Sequence, residues 1–246
     1  RRGGLTRLTL EGSVHLMGAW TPDGKRIAYR SNRAGGPGNL FWQAADGSGA
    51  AERLTTSDSL QTPNSWTPDG QSLAFTEVSP DTGNDINVLT VSDHKVHPFL
   101  RTRFSEAAPG FSPDGRWMVY MSDESGRNEG YVQPYPGPGG KWQISTDGGT
   151  EPLWNRNGRE LFYRNGDKVM AVDITTQPRL SAATPRMLFE APYVPTPTVS
   201  LNYDVSPDGQ RFLMLEPGEQ AQTPTQINVV LNWSEELKRR VPTGTK

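Results

Sequence analysis

His15, His94 and His97 are the natural general bases of this 246-residue chain, because an unperturbed imidazole changes charge near neutral pH. His94 and His97 are three apart. On a strand that odd spacing sends the two side chains to opposite faces, so one zinc ion does not readily take both. Ser92-Asp-His-Lys95 matches a Ser-x-x-Lys nucleophile pair by letter. That pair works by placing Lys one helical turn from Ser, and here it falls in a β-turn. No Gly-x-Ser-x-Gly elbow occurs, and the absence of Cys excludes thiolate chemistry, disulfides and Cys-ligated zinc. Two acidic loops, Asp81 to Asp85 and Asp123 to Glu129, set carboxylates among Asn and Gly and could offer oxygen ligands to calcium. Neither has the EF-hand spacing, and the expectation is no cofactor and no metal.

The elements that must position these residues are set by composition and by a repeat. Lys plus Arg is 25 and Asp plus Glu is 27, a formal net charge of -2, so no basic field exists to hold nucleic acid. No apolar run approaches the roughly 18 residues of a membrane span. The 26 Gly and 21 Pro disfavour long helices, while 7 Trp, 7 Tyr and 8 Phe argue for a packed core rather than disorder. The opening Arg1-Arg2-Gly3-Gly4 has neither Met nor a signal peptide, which suggests a piece of something longer.

Five segments align: Trp20-Thr-Pro-Asp-Gly24, Trp66-Thr-Pro-Asp-Gly70, Phe111-Ser-Pro-Asp-Gly115, Trp154-Asn-Arg-Asn-Gly158 and Val205-Ser-Pro-Asp-Gly209, at spacings of 46, 45, 43 and 51. Pro sets φ for the second turn position, Asp or Asn tolerates the third, and Gly supplies the positive φ that returns the chain, so each copy is a hairpin tip. The fourth copy replaces Pro-Asp by Arg156-Asn157 but keeps Asn-Gly, and the turn is expected to survive. After each Gly the third and fifth residues are large and apolar, from Ile27 and Tyr29 to Phe212 and Met214. The residues between them, Ala28, Ala74, Val119, Phe162 and Leu213, are apolar too. Both faces of this strand must therefore be covered, as when blades stack around an axis.

Third strands are expected at 39–45, 85–91, 129–135, 167–174 and 226–233, and fourth strands at 52–56, 96–101, 141–145 and 186–190. The fifth unit lacks a fourth strand, while Leu5-Thr-Arg-Leu-Thr9 copies Ala51-Glu-Arg-Leu-Thr55 in its last three letters. The expected fold is all-β: one propeller domain over 1–246, five four-stranded antiparallel blades closed by the N-terminal strand, with an incomplete six-bladed ring as the alternative. A short helical or flexible tail is expected at 234–246, with Ser234 as the cap of a helix to Arg240.

The Ser/Thr-Pro-Asp-Gly-(Lys/Arg/Gln)-x-apolar-Ala/Val-aromatic pattern resembles the TolB-type propeller repeat across essentially the whole chain. Gly137 to Thr150, Trp154 to Tyr163 and Ile227 to Trp233 are similar to the C-terminal propeller region of bacterial serine/threonine protein kinases. No Gly-rich phosphate loop, His-Arg-Asp or Asp-Phe-Gly occurs, so no kinase residue carries over. The resemblance implies a bacterial, extracytoplasmic recognition platform: protein or peptide capture in the first case, a sensor or scaffold in the second.

On this architecture the Pro-Asp-Gly turns share one face and the longer, variable loops the other. The ligand site is expected at the channel mouth on the loop face, near His15, Arg33, Asp58, Arg103, Glu106, Asp123, Arg127, Glu151 and Tyr203. Each charged residue there also has the plainer role of solvating a loop. The expected function is non-catalytic binding of a protein, peptide or small ligand by a monomer. The alternative is an esterase or lactonase built on His15. Trp20, Trp66, Phe111 and Trp154 recur at one repeat position and are expected between blades. Tyr135, Trp142, Tyr193 and Tyr203 fall outside it and are expected at the surface. The Pro-rich stretch 192–197 could serve as a lid or only as a link.

Overall fold

The computed structural model describes residues 8, 9, 14–194 and 199–217. They fall almost wholly within a compact unit spanning Arg1–Glu216, with Pro217–Lys246 a separate unit. The first sheet runs β1 (His15–Trp20), β2 (Arg26–Ser31), β3 (Asn39–Ala44) and β4 (Glu52–Arg53) in spatial order. The second repeats it with β5 (Gln61–Trp66), β6 (Ser72–Ser79), β7 (Gly83–Thr90) and β8 (Lys95–Leu100). The third has β9 (Glu106–Phe111), β10 (Trp117–Ser122), β11 (Glu129–Pro134) and β12 (Trp142–Gln143). In the fourth, β13 (Thr150–Trp154), β14 (Glu160–Asn165) and β15 (Lys168–Thr175) are followed by β16 (Ser181–Ala182) and β17 (Arg186–Glu190), both paired to β15. A hairpin of β18 (Tyr203–Val205) and β19 (Phe212–Met214) begins the fifth unit. All pairings are antiparallel, as the repeat requires.

The turns hold more tightly than turn propensity alone demands. In the first, the Thr21 hydroxyl donates to Asp23 Oδ1 at 2.7 Å, which also accepts the Lys25 N–H at 3.0 Å, while Gly24 N–H reaches Thr21 O at 2.8 Å. Thr67 with Asp69, Ser112 with Asp114 and Ser206 with Asp208 repeat the hydroxyl contact. The Asp therefore holds both ends of its turn, a role beyond tolerating the third position. The fourth turn forms with Asn157 Oδ1 accepting the Arg159 N–H at 2.8 Å and Gly158 at φ 69°. Successive turns also lean on one another. A methyl group on Gly70 would lie 3.6 Å from Pro22 Cδ, one on Gly115 3.2 Å from Pro68 Cδ, and one on Gly158 3.9 Å from Pro113 Cδ.

This contact gives a matched test. Gly24 and Gly115 share φ near 70°, but nothing lies within 4 Å of a methyl on Gly24. Gly24→Ala should cost roughly 1 kcal/mol for the left-handed conformation. Gly115→Ala should cost that and more, because Pro68 must move. Equal losses in urea titrations would show that the turn-to-turn contact adds nothing to stability.

The core lies between sheets. One cluster joins Ala19, Ala28, Leu40 and Leu54 of the first sheet to Trp66, Leu73, Phe75 and Leu89 of the second. The next joins Ala74, Ile86 and Val88 to Phe111, Met118, Tyr120 and Tyr131, and a third joins Val119, Val132 and Ile144 to Trp154, Leu161 and Tyr163. A fourth joins Phe162 and Ala171 to Tyr203 and Val205. Along the second strands, the large outer pair faces the preceding sheet and the residue between faces the following one, so no face of β6, β10 or β14 is wet. Each sheet depends on its neighbours for its core, the defining physics of a repeat fold.

Two residues break this pattern at one seam. Trp20 is 56% exposed and Leu213 is 72% exposed, and both occupy repeat positions that would face each other between the fifth unit and the first. The expected closing strand 5–9 lies largely outside the described residues, as do the expected strand 226–233 and the tail 234–246; of the closing strand, Leu8 O accepts a hydrogen bond from Gln43 Nε2 at 2.6 Å. No helix among the described residues is long and apolar enough to cross a membrane.

Candidate functional site

The innermost strands β1, β5, β9, β13 and β18 together line a central cavity of about 800 Å³, within the roughly 300–1,000 Å³ usual for small-ligand sites. Its walls mix apolar and polar surface: Pro63, Pro109 and Pro152 stand beside Asn64, Ser65, Ser112 and Ser200. The lining continues into the turns through Thr21, Pro22, Pro68, Pro113, Arg156 and Ser206 but does not reach the strand starts His15, Gln61 or Glu106. The cavity therefore extends to the turn face. Toward the other end lie Ser200 and Leu201, and Val199 O accepts the Asn64 Nδ2 hydrogen at 2.7 Å, tying the approach to the fifth unit onto β5 of the second.

The inner strands are bent to make this wall. Met17, Ala108 and Glu151, each three residues before the repeat aromatic, have φ of 57°, 53° and 55°, a region non-glycine residues seldom occupy. Pairing slips a residue at the same places in β1, β9 and β13, the signature of a β-bulge, which re-aims the neighbouring side chains. In the second unit Pro63 occupies that position and pairing slips between Pro63 and Ser65 instead. Sequence periodicity does not reveal the bulges, because left-handed Met, Ala and Glu carry no letter signal.

Of the nine expected mouth residues, Tyr203 alone lines the cavity. Glu151 and Tyr203 are brought together: Glu151 O accepts the Tyr203 hydroxyl at 2.9 Å, Oε2 accepts the Asn202 N–H at 2.7 Å, and Oε1 pairs with Arg164 Nη1 at 3.2 Å. Arg164 also donates to Val194 O and Gly166 O. This buried group staples the fourth sheet to the fifth unit, and its low-dielectric setting pushes the Tyr203 phenol well above its usual range. Of the four aromatics expected at the surface, Tyr203 is corrected: it is 5% exposed. Tyr135, Trp142 and Tyr193 are half-buried and pack on Phe111, Trp117 and Phe189.

The remaining mouth candidates are dispersed. His15 meets Tyr29 edge-on at 5.7 Å, with both ring nitrogens buried and without a hydrogen-bond partner, so no Asp or Ser orients it as a base. Arg33 lies 5.7 Å over the Phe41 ring and Arg103 4.8 Å over Phe104, while Asp58 is in the loop before β5. Asp123 accepts the Ser105 N–H at 2.9 Å, and Arg127 bonds Glu129, Asp147 and Thr146 O. The acidic loops are similarly engaged internally, Asp85 by Arg101 and Thr82, Glu124 by Lys141, and Glu129 by Arg127 and Ser145. Among the described residues, no group of three or more His, Cys, Asp or Glu is placed to hold a metal. Residues 195–198 of the Pro-rich stretch lie outside the described residues; before them, Val194 N–H donates to Leu215 O.

Glu106 is the one mouth carboxylate whose burial changes its protonation. It is 2% exposed, Oε1 accepts the Thr102 hydroxyl, and Oε2 is buried without a partner. Desolvation pushes its carboxyl above the ordinary value of 4.5, against the Thr102 hydrogen bond and with help from Asp85 and Asp123. A raised folded-state value means that the proton stabilises the fold: the contribution is full below the unfolded value and is lost as pH rises through the folded one. Glu106→Gln should therefore gain stability relative to wild type as pH climbs from 4 toward 8, read as melting temperature. A constant difference across that range would contradict the assignment. Asp23, Asp69 and Asp208 act oppositely, since hydroxyl and N–H donors hold their carboxyls below the usual range and their contribution is lost toward acid.

No protein-family model matches the chain, and no curated protein does either. Among solved structures it is similar to TolB from Acinetobacter baumannii, with a TM-score of 0.64 and 23% identity over 81% of this chain and 48% of that one. A TolB from Agrobacterium tumefaciens gives 0.65 and 17%, over 84% and 76%. A puromycin-hydrolysing peptidase from Mycobacterium tuberculosis gives 0.55 and 16%, over 72% of this chain and 29% of that one. The chain thus spans about half the length of the Acinetobacter protein. These likenesses establish a β-propeller fold of the TolB type.

Proposed function

We propose that this TolB-type propeller is a non-catalytic recognition module that takes a peptide segment of a protein partner into its central channel from the turn face. The observation that carries the reading is the single cavity wall shared by five inner strands and reaching the turn residues Pro22, Pro68, Pro113 and Arg156. Walls of Pro interleaved with small polar residues such as Asn64, Ser65, Ser112 and Ser200 favour an extended segment that combines apolar and hydrogen-bonding contacts. Pro offers rigid surface with no N–H to satisfy, and bulged strands hold that surface in place. The resemblance to TolB-type repeats supports protein or peptide capture by analogy of fold. The loop-face residues Arg33, Asp58, Arg103 and Asp123 would then serve solvation and loop tethering.

The test is selection of a random twelve-residue peptide library displayed on phage against the full chain, followed by binding measurements with Leu201→Trp, which narrows the cavity from its wall. Enriched peptides should lose at least about tenfold in affinity for the variant, the equivalent of one good contact. No enrichment, or peptides indifferent to Leu201→Trp, would overturn the reading.

A further inference from the structure

The fourth turn is the one copy in which the repeat proline is replaced, and the replacement has a geometric cause. In the first three turns Pro22, Pro68 and Pro113 each lie beneath the glycine of the next turn, at 3.2–3.9 Å from the methyl that glycine lacks. At the following junction Gly209 rests instead on Asn155, whose Nδ2 lies 2.5 Å from the corresponding methyl position. Asn155 is 3% exposed, and its amide also donates to Glu160 Oε2 at 3.1 Å. With Asn155 filling the gap, residue 156 is released from the packing that holds Pro22, Pro68 and Pro113.

The released residue is an arginine in the cavity lining. Arg156 is exposed and makes no ion pair or hydrogen bond among the described residues, whereas Arg26, Arg101, Arg127, Arg164 and Arg186 all have acidic partners. It is the only Lys or Arg in that lining, and Asp204, which accepts the Val205 N–H at 2.8 Å, is the only acid. Around the same face, Asp23, Asp69, Asp114 and Asp208 sit at their turn tips, and Asn157 is the uncharged counterpart. An approaching carboxylate is repelled at those four tips and meets a free guanidinium with five N–H donors at the Arg156-Asn157 turn.

We infer that Arg156 is the specificity-determining residue of the channel and selects peptide segments that carry an Asp or Glu side chain next to apolar residues. The inference rests on the channel-binding reading. The guanidinium takes the carboxylate at the rim through a charge-assisted, bidentate bond, while the apolar neighbours enter between Pro63, Pro109 and Pro152. Asp204 sets the other limit by opposing the same charge, so the acidic side chain must sit on the Arg156 side.

The experiment extends the phage-displayed selection. Peptides enriched on wild type should carry Asp or Glu at one position, and replacing that residue by Asn or Gln should weaken binding about tenfold or more, the scale of a hydrogen bond to a charged group. Arg156→Pro, which restores the repeat residue, should abolish the distinction between the acidic and amide peptides. Arg156→Glu should reverse it toward Lys-containing peptides, and Asp204→Asn should tighten the acidic ones. Peptides that depend on Leu201 but ignore all Arg156 variants would overturn this inference and leave the channel reading intact. Peptides that ignore Leu201→Trp as well would overturn both. Circular dichroism melting of Arg156→Pro, expected to match wild type because that residue is exposed, separates lost recognition from lost fold.

Discussion

Arg164→Ala should remove about 3–5 kcal/mol of stability, because it strands the Glu151 carboxylate, 3% exposed, without its cation. For a domain of this size that corresponds to roughly a 10 °C fall in melting temperature. The loss arises from uncompensated charge, not from the intrinsic strength of the pair. The double variant Glu151→Gln with Arg164→Met should accordingly recover much of it, since the cost of desolvating two ions goes with the ions. Tyr203→Phe removes only the 2.9 Å bond to Glu151 O and should cost about 1 kcal/mol. Thermal denaturation of the three variants checks the order. An Arg164→Ala protein as stable as Tyr203→Phe would show that the staple between the fourth sheet and the fifth unit does not hold them together.

Phe75→Ala should cost a similar 3–5 kcal/mol for a different reason. Phe75 is 0% exposed on β6 and belongs to the cluster shared by the first two sheets, with Ala28 and Leu40 from one and Leu73 and Leu89 from the other. Truncation removes aromatic area and leaves a void that two paired sheets cannot close without sliding over each other. Val96→Ala on β8 gives the contrast: it is 41% exposed, and its loss should stay within about 0.5 kcal/mol. Urea titration distinguishes them, and comparable losses would argue that the sheets are stabilised singly rather than by stacking.

Much of the architecture was readable because periodic positions answer periodic needs. The Pro-Asp-Gly tips, the doubly covered second strands and the third strands at 39–44, 83–90, 129–134 and 168–175 all follow from letters that recur. Trp66, Phe111 and Trp154 are buried between sheets for the same reason. Trp20 shares their position yet remains exposed, since its cover must come from the fifth unit and Leu213 across that seam is exposed too. Unforeseen features are those in which backbone or partners decide. The left-handed Met17, Ala108 and Glu151 have ordinary side chains, and the extra strand Ser181–Ala182 is too short to show a period.

The candidate site was less legible. Charged loop residues drew attention to the loop face, but Arg127, Asp123 and Glu151 spend their hydrogen bonds on neighbouring loops and strands. The wall of the cavity consists of prolines and small residues that precede each repeat aromatic, chemically quiet in sequence and adjacent only once the sheets stack. Arg156 did carry a signal, as the sole break in a proline otherwise present in every copy. Its meaning depends on Asn155 taking over the packing against Gly209, which spacing alone does not disclose.

The central claim is entry to the channel from the turn face, and the absence of Cys from the chain permits a direct test with single cysteines. Asp204→Cys, at the turn-side lining, and Asp58→Cys, in the loop before β5, are each coupled to a bulky maleimide, and binding of the selected peptides is measured before and after coupling. Entry from the turn face predicts that the adduct at 204 abolishes binding and the adduct at 58 leaves it unchanged. Binding lost at 58 and retained at 204 would contradict it.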